Sequence, residues 1–243
     1  MTAAFISDLH LTPERPDIFR AFVSYMEHQA LKVNDLYILG DFFEYWLGDD
    51  AMEAFHHNVA SLLKQYTDSG RNIYLMPGNR DFAIGKQFLK QTGAIWLKDP
   101  CTIKLNGEKV LLMHGDLLCT EDKQYLKYRK IIRSPLVMFL LRMTPLSYRK
   151  NLGRKIRENS RKAKTGKSLE IMDVTSESVS DFMIRYGVKT LVHGHTHRPN
   201  IHDVDLPDDK GQRIVLGDWD KLGWELIEAE GGLKLLSFPI TDA

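Results

Sequence analysis

Seven side chains of the kinds that bind metal ions follow short apolar segments along this sequence. They are two carboxylates, four imidazoles and one amide: Asp8, His10, Asp41, Asn79, His114, His195 and His197. The set offers nitrogen and oxygen ligands and no thiolate, which favours Mn²⁺ over Fe²⁺ and Zn²⁺. Seven ligands exceed what one ion takes from a protein while a coordination position stays open for substrate. We therefore expect two divalent ions about 3.5–4 Å apart, with Asp41 bridging them.

The spacing of these residues favours their convergence. Residues two apart in an extended segment face the same side, which pairs Asp8 with His10 and His195 with His197. Glycines flank the ligands where the backbone must turn tightly. An isolated Asp-x-His or Gly-Asn group is typical of an ordinary turn. Five such groups in order, each after a buried-strand pattern, indicate a site.

The elements that must position the ligands are alternating strands and helices. Continuous apolar runs predict buried strands at 3–6, 36–39, 73–76, 110–113 and 190–192. Helical periodicity appears at 17–31, 52–66 and 85–92, and the region 200–238 favours β-hairpins. This alternation predicts an α/β fold, a sandwich of sheets flanked by helices, with ligands at the carboxyl ends of the strands.

Composition excludes several classes of protein. The chain has 243 residues, of which 43% are hydrophobic and 27% charged, so it is neither disordered nor fibrous. Its formal net charge of +1 excludes a uniformly basic or acidic protein. The two cysteines, Cys101 and Cys119, form no disulfide framework and fit a reducing compartment. No secretory signal pattern opens the sequence and no apolar run reaches about 20 residues, so we expect a cytoplasmic protein.

The near-neutral total conceals a strongly basic segment. Residues 122–168 hold 15 Lys and Arg against two acidic residues, a net charge of +13 that leaves −12 for the rest of the chain. We interpret 122–168 as a helical lid inserted into a core made of 1–121 and 169–243. Four of its residues share one helical face: Arg157, Ser160, Lys164 and Lys167. Such a face suits a diphosphate and nucleotide, and a solvated charged helix is the alternative.

The first half of the same segment contains an apolar run. Residues 136–141 are all apolar and are flanked by Arg133 and Arg142, then by Arg149 and Lys150. Such a run lines a channel for acyl chains or enters a bilayer interface, with the cations at anionic head groups. A helix buried under the lid is the alternative.

The ordered motifs resemble those of the calcineurin-like metallophosphoesterases. The match extends from residue 7 to residue 197 and consists of Asp8-x-His10, Gly40-Asp41, Gly78-Asn79, His114 and Gly194-His195-x-His197. The resemblance implies a layered αββα sandwich with the lid inserted in it. It assigns one Mn²⁺ ion to Asp8, His10, Asp41 and His197, and the other to Asp41, Asn79, His114 and His195.

Further motifs narrow the resemblance within that family. Segments 6–11, 40–50 and 78–82, the chain length and the basic insertion resemble the members that act in lipid A biosynthesis. That likeness implies hydrolysis of UDP-2,3-diacylglucosamine to UMP and 2,3-diacylglucosamine 1-phosphate, by metal-activated hydroxide attacking the uridine-side phosphorus. It also implies a peripheral protein on the cytoplasmic face of the inner membrane. The implied substrate contacts are Asn79, Arg80, Asp122, Ser160, Lys164, Lys167 and His195.

Arg80 departs from the wider family, in which His often follows the Gly-Asn pair. An arginine stays protonated at any workable pH, so Arg80 is not a general acid. It can clamp phosphoryl oxygens and stabilise developing charge, and we predict a catalytic role for it beside Asn79. A surface arginine in a turn is the alternative.

Two other functions remain open at this point. A metallophosphoesterase acting on nucleic acid or small nucleotides would use the basic segment to bind phosphates. The apolar run there, in place of aromatic stacking platforms, favours a UDP-diacyl sugar lipid and a membrane surface as partners instead of nucleic acid. A non-catalytic scaffold with the same fold need not keep all seven ligand residues, whereas this chain has all seven.

Overall fold

A computed structural model describes residues 3–155, 173–207 and 209–240 of the chain. Its first sheet combines the N-terminal half of the chain with the C-terminal hairpin. In spatial order the strands are β11 (Gly232–Pro239), β10 (Leu222–Ala229), β1 (Ala3–Ile6), β2 (Asp35–Ile38), β3 (Asn72–Leu75) and β4 (Ile95–Trp96). Strands β1 to β4 are mutually parallel, and β10 pairs antiparallel with β1.

Three helices cover the outer face of this sheet. They are α1 (Pro16–His28), α2 (Ala54–Asp68) and α3 (Lys86–Thr92). Helix α1 starts with Pro16, whose fixed φ suits a first helical position, and it buries Ile18, Phe22 and Tyr25 at helical spacing. These side chains join one core cluster with residues from α2, α3 and the sheet. The helical patterns at 17–31, 52–66 and 85–92 therefore correspond to real helices, although α1 ends at His28 and a 3₁₀ turn follows it.

The second sheet is built from the middle of the chain. Its strands, in spatial order, are β5 (Cys101–Leu105), β6 (Glu108–Met113), β7 (Thr190–His193), β9 (Asp209–Val215) and β8 (Asn200–Leu206). Strands β6, β7 and β9 are parallel, and each flanking strand is antiparallel. Helix α7 (Ser176–Tyr186) packs Val179 and Met183 against the outer face of this sheet.

The two sheets pack face to face through an apolar interface. Phe5 and Leu39 on the side of the first sheet share a core cluster with Leu112, Val192 and Ile214 of the second. The layers are thus helices, sheet, sheet and helix, which confirms the predicted α/β sandwich. The predicted ligands follow the carboxyl ends of five of these parallel strands: β1, β2 and β3 in the first sheet, and β6 and β7 in the second.

The described part of the predicted insertion, residues 122–155, contains three helices. They are α4 (Lys123–Ile132), α5 (Pro135–Met143) and α6, whose described residues are 146–155. Asp122 caps α4 by accepting a hydrogen bond from the backbone N–H of Tyr125, and Ser134 caps α5. Helix α5 has no buried residue. Among the described residues, no helix combines the length and apolarity that crossing a membrane requires.

Candidate metal centre

Five of the seven predicted ligands have a left-handed backbone. The φ angles are 55° at Asp8, 50° at His10, 49° at Asp41, 72° at His195 and 56° at His197. Non-glycine residues rarely adopt this conformation, because Cβ crowds the following carbonyl. In the described part of the chain the one other such residue is in the β5–β6 turn. Strain of this kind persists where the surroundings impose it, and it clusters at functional sites.

Hydrogen bonds between loops impose the conformation. The backbone N–H of Asp8 donates to the carbonyl of Gly40 at 3.1 Å, and that of His10 donates to the carbonyl of Asp41 at 3.0 Å. Gly78 lies so close to the 40–41 loop that a Cβ there would be 2.0 Å from the nitrogen of Asp41. A glycine is therefore required at 78 for the loops to meet.

Asp8, His10 and His197 form the first group of potential ligands. One ligand atom from each lies within 4.8 Å of the others. The Nε2 atoms of His10 and His197 face each other at 3.4 Å, and Nε2 of His197 is 3.4 Å from Oδ1 of Asp8. This Oδ1 atom is buried and accepts no hydrogen bond. A buried carboxylate oxygen costs free energy unless a cation or donor meets it, so the group fits a metal ion.

The second group contains Asp8 again, with Asp41 and His114, also within 4.8 Å. The amide oxygen of Asn79 lies 2.9 Å from Nε2 of His114 and 2.9 Å from Nδ1 of His195. All seven predicted ligands therefore meet in one place. The carboxylate common to both groups is Asp8, whereas the resemblance assigns Asp41 to both ions. Which residue binds which ion stays a prediction.

The two carboxylates respond differently to burial. Burial acts to raise the pKa of Asp8, but the neighbouring His197 and His114 outweigh it and hold that pKa well below its usual range. Burial raises the pKa of Asp41 to about 7, opposed by attraction to His114 and supported by repulsion from Asp8. Two carboxylates this close ionise together only when positive charge lies between them. Bound divalent cations would supply that charge.

Two of the four imidazoles are in the neutral form that a metal needs, and the pKa of the other two, His114 and His197, is raised by nearby carboxylates. Burial lowers the pKa of His195 to about 3 and lowers that of His10 well below its usual range. Both rings are therefore neutral near pH 7, with a lone pair available for a metal. The pKa of His197 rises to about 10, because contacts with Asp218 and Asp8 outweigh burial. A bound cation competes with that proton.

Outer contacts orient the ligating atoms. Nδ1 of His114 lies 2.9 Å from the carbonyl of Leu39, and Nδ1 of His197 lies 3.2 Å from a carboxylate oxygen of Asp218. Each contact occupies Nδ1 and leaves Nε2 directed into the site, as in carboxylate–histidine–metal arrangements. The sequence analysis did not single out Asp218, because it follows a strand of ordinary composition and only the fold brings it to His197.

Arg80 lies at the mouth of the site. Its backbone N–H donates to Oδ1 of Asp41 at 2.9 Å, and its Nε is 3.6 Å from Oδ2 of the same residue. Its guanidinium also pairs with Glu44, whose carboxylate is 3.5 Å from Nδ1 of His10. Glu44, like Asp218, contacts a predicted ligand but was not singled out in the sequence, although it lies only three residues after Asp41.

The other predicted substrate contacts divide into two sets. Asp122 is the cap of α4, and the ring of Tyr125 in the first turn of that helix stacks 6.4 Å from the ring of His195. The start of the insertion thus lies beside the metal ligands. Three predicted substrate contacts lie outside the described residues: Ser160, Lys164 and Lys167. Arg157, predicted on the same helical face, also lies outside them.

An apolar cavity separates the insertion from the core. Its lining comes from both sides and includes Trp46, Phe82, Tyr128, Ile132, Met138 and Leu141. The opposite side of α5 projects outward, with Leu136 exposed to 68% and Met143 to 72%. Residues of the apolar run therefore both line a cavity and face solvent.

Two cations expected at lipid head groups face inward instead, so that interpretation is wrong for Arg133 and Arg149. Arg149 is buried, donates to the carbonyl of Leu47 at 2.6 Å and pairs with Asp50. Arg133 contacts Asp116 and the carbonyl of Gly78. Arg133 thus meets a buried carboxylate, whereas Arg149 meets the exposed carboxylate of Asp50 and the carbonyls of Leu47 and Thr144.

Comparisons with known proteins identify the family of the chain. The family model described as calcineurin-like phosphoesterase matches residues 1–199. A protein of Pseudomonas fluorescens SBW25 named UDP-2,3-diacylglucosamine hydrolase is 54% identical over 233 residues, 96% of this chain and 94% of its own. A protein of the same name from Pseudomonas paraeruginosa PA7 is 50% identical over 99% of this chain and 100% of its own. Among solved structures, one of a novel archaeal phosphodiesterase covers 98% of this chain and 100% of its own, with 14% identity and a TM-score of 0.47.

Proposed function

The chain belongs to the calcineurin-like phosphoesterase family, and from that premise we propose that it hydrolyses UDP-2,3-diacylglucosamine to UMP and 2,3-diacylglucosamine 1-phosphate. The observation that carries the proposal is the meeting of seven ligand residues from separate loops beside an apolar cavity. The ligands suit a diphosphate, and the cavity suits acyl chains. The name shared by relatives at 50–54% identity supports the same substrate.

We propose that the centre holds two Mn²⁺ ions. The residues available are four imidazoles, two carboxylates and one amide, and mixed nitrogen and oxygen donors of this kind suit Mn²⁺. The orphaned Oδ1 of Asp8 and the opposed Nε2 atoms of His10 and His197 are the contacts that a cation would relieve. Bound divalent ions lower the pKa of a coordinated water and neutralise phosphate charge.

The chain's own residues then orient the diphosphate. Arg80 would exchange its contact with Glu44 for the phosphoryl oxygens, where its fixed charge stabilises the negative charge that builds up. Asn79 and His195, which already touch each other, would hold the adjacent oxygens. Because arginine donates no proton, the arrangement suits a leaving group that departs unprotonated. Either half of the diphosphate would leave as such a phosphate, so this argument does not choose between them. The resemblance implies attack at the uridine-side phosphorus, and we propose that water attacks there and that the lipid phosphate departs.

The insertion would receive the lipid part of the substrate. The cavity between Trp46, Phe82 and Leu141 has an apolar lining of the kind that acyl chains require. Exposed side chains on the outer side of α5 would rest on the membrane: Leu136, Phe139, Leu140 and Met143. Arg142 at the end of α5 would meet anionic head groups. We propose a peripheral location on the cytoplasmic face of the inner membrane.

A substrate comparison tests the proposal. Metal-loaded protein is assayed with UDP-2,3-diacylglucosamine, with a UDP-sugar that has no acyl chains, and with single-stranded DNA. We expect the diacyl substrate to have by far the highest kcat/KM, because only it fills both the metal centre and the cavity. Equal or faster turnover of DNA would instead assign the basic insertion to nucleic acid.

A further inference from the structure

A buried ion-pair network joins the insertion to the loops that hold the metal ligands. Arg129 of α4 donates from Nη2 to Asp99 at 2.6 Å and from Nε to Asp116 at 2.7 Å. Both carboxylates are almost inaccessible, with side-chain exposures of 1% and 0%. Asp99 accepts a hydrogen bond from the backbone N–H of His114, and Asp116 follows that ligand by two residues. The network thus lies directly behind a metal ligand.

Arg133, at the end of α4, extends the network to a second ligand loop. Its Nη2 donates to the carbonyl of Gly78 at 2.7 Å and lies 3.5 Å from Asp116. Its guanidinium also covers the ring of Phe82 at 5.5 Å. The side chain is exposed to only 16%, although it lies next to an apolar run on a surface insertion. Its Nη1 is also 3.7 Å from Asp99, so four contacts hold the side chain in one orientation.

The backbone N–H and the carbonyl of Gly78 are each fixed by a hydrogen bond to a charged side chain. Its N–H donates to the buried carboxylate of Asp81 at 2.8 Å, and its carbonyl accepts from Arg133. That carbonyl belongs to the peptide bond leading into Asn79, whose amide oxygen meets His114 and His195. Rotation of this peptide would move Asn79 away from both imidazoles. Asp81 comes from the core, whereas Arg133 comes from the insertion.

We propose that Arg133 is a positioning residue of the metal centre. By fixing the carbonyl of Gly78 it sets the direction of Asn79, so the insertion completes the metal site in addition to covering the substrate. The inference rests on the proposed function for the identity of the ions. The inference predicts a change in the affinity for metal ions, and this affinity is measured without substrate.

Direct titration of metal-free, full-length protein with Mn²⁺, followed by electron paramagnetic resonance, tests the inference. We expect Arg133→Met to weaken the binding of one ion by about 10–100-fold, the range found when outer contacts of metal ligands are removed. Arg133→Lys, which retains a charged donor, recovers most of that loss. Lys127→Met is the matched control, because Lys127 is exposed on the same helix. We expect Lys127→Met to leave the affinities for both Mn²⁺ ions unchanged.

A double-mutant cycle separates positioning from a general loss of stability. If Arg133 acts through Asn79, Arg133→Met adds no further loss of affinity in the Asn79→Ala background. An undiminished further loss there, or wild-type affinity in Arg133→Met alone, overturns the inference. If Arg133→Met does not fold, Arg133→Gln takes its place in the cycle and the same criteria apply. Failure of the wild-type protein to bind Mn²⁺ would remove the proposed function and this inference together.

Discussion

The side-chain oxygen of Asn79 lies 2.9 Å from Nε2 of His114, and this contact joins the two sheets of the sandwich. Asn79 follows strand β3 of the first sheet, and His114 follows strand β6 of the second. The site therefore exists only when the sheets pack at their observed spacing. Leu39 and Met76 of the first layer and Leu112 of the second set that spacing in the shared core. Loss of a ligand side chain at this edge affects chemistry more than folding.

Asn79→Ala tests this separation. We expect kcat/KM for UDP-2,3-diacylglucosamine to fall by more than about 100-fold, because removing a ligand costs more than removing an outer contact. Stability of the metal-free protein changes by about 1 kcal/mol or less, which corresponds to a shift of roughly 2–4 °C in Tm. Steady-state kinetics and thermal unfolding in EDTA measure the two effects. A large drop in Tm with the same loss of activity would mean that Asn79 supports the fold.

Arg80→Ala tests the phosphoryl clamp. We expect kcat/KM to fall by about 100–1,000-fold, the range for removing one group that stabilises developing charge. Mn²⁺ affinity persists, since the contact from position 80 to Oδ1 of Asp41 comes from the backbone N–H. Arg80→Lys restores only part of the activity, because an ammonium lacks the bidentate geometry. Wild-type kinetics in Arg80→Ala would return Arg80 to the status of a surface residue in a turn.

Replacing Leu136 and Phe139 together with Ser tests the outer face of α5. Each side chain contributes about 1.5–3 kcal/mol when it leaves water, so binding to vesicles that contain anionic lipid falls by at least about 10-fold. Mn²⁺ affinity is unchanged, since neither residue contacts a ligand. Ile184→Ser on α7 is the control, with 52% exposure against 68% for Leu136 and 59% for Phe139. Cosedimentation measures binding, and equal binding of the double variant and the control would contradict the proposed membrane contact.

The two thiols give a prediction about pH. Burial, with Asp99 nearby, raises the pKa of Cys101 to about 11, and burial beside Asp116 raises that of Cys119 to about 12. Both thiols are therefore neutral at pH 8, and we expect iodoacetamide to modify them at least about 100-fold more slowly in the folded protein than in denaturant. Folding raises the pKa of both thiols, so it disfavours their thiolate forms. The two thiols therefore leave the free energy of unfolding undiminished below about pH 8.5, and they lower it as the pH rises towards 11. Mass spectrometry of the intact protein follows the alkylation, and fast modification at pH 8 would contradict the burial.

Local patterns in the sequence predict much of the site. Each ligand follows an apolar run closed by glycine or a polar residue, and parallel strands bring such ends to one edge. Partners from distant segments have no comparable signature. Asp218 meets His197 only because the chain returns after β9, and Arg133 turns inward only because Asp99 and Asp116 are buried beneath α4. From the sequence alone, an arginine beside an apolar run is expected to contact lipid head groups. Only the fold shows that buried carboxylates lie within its reach.

Hydrolysis of UDP-2,3-diacylglucosamine by the Mn²⁺-loaded protein in ¹⁸O-labelled water, with mass spectrometry of the products, tests the central claim most directly. The account predicts UMP that carries one ¹⁸O atom and 2,3-diacylglucosamine 1-phosphate that carries none. Label in the lipid phosphate would contradict attack at the uridine-side phosphorus. The absence of both products from protein with its Mn²⁺ sites filled would contradict the function itself.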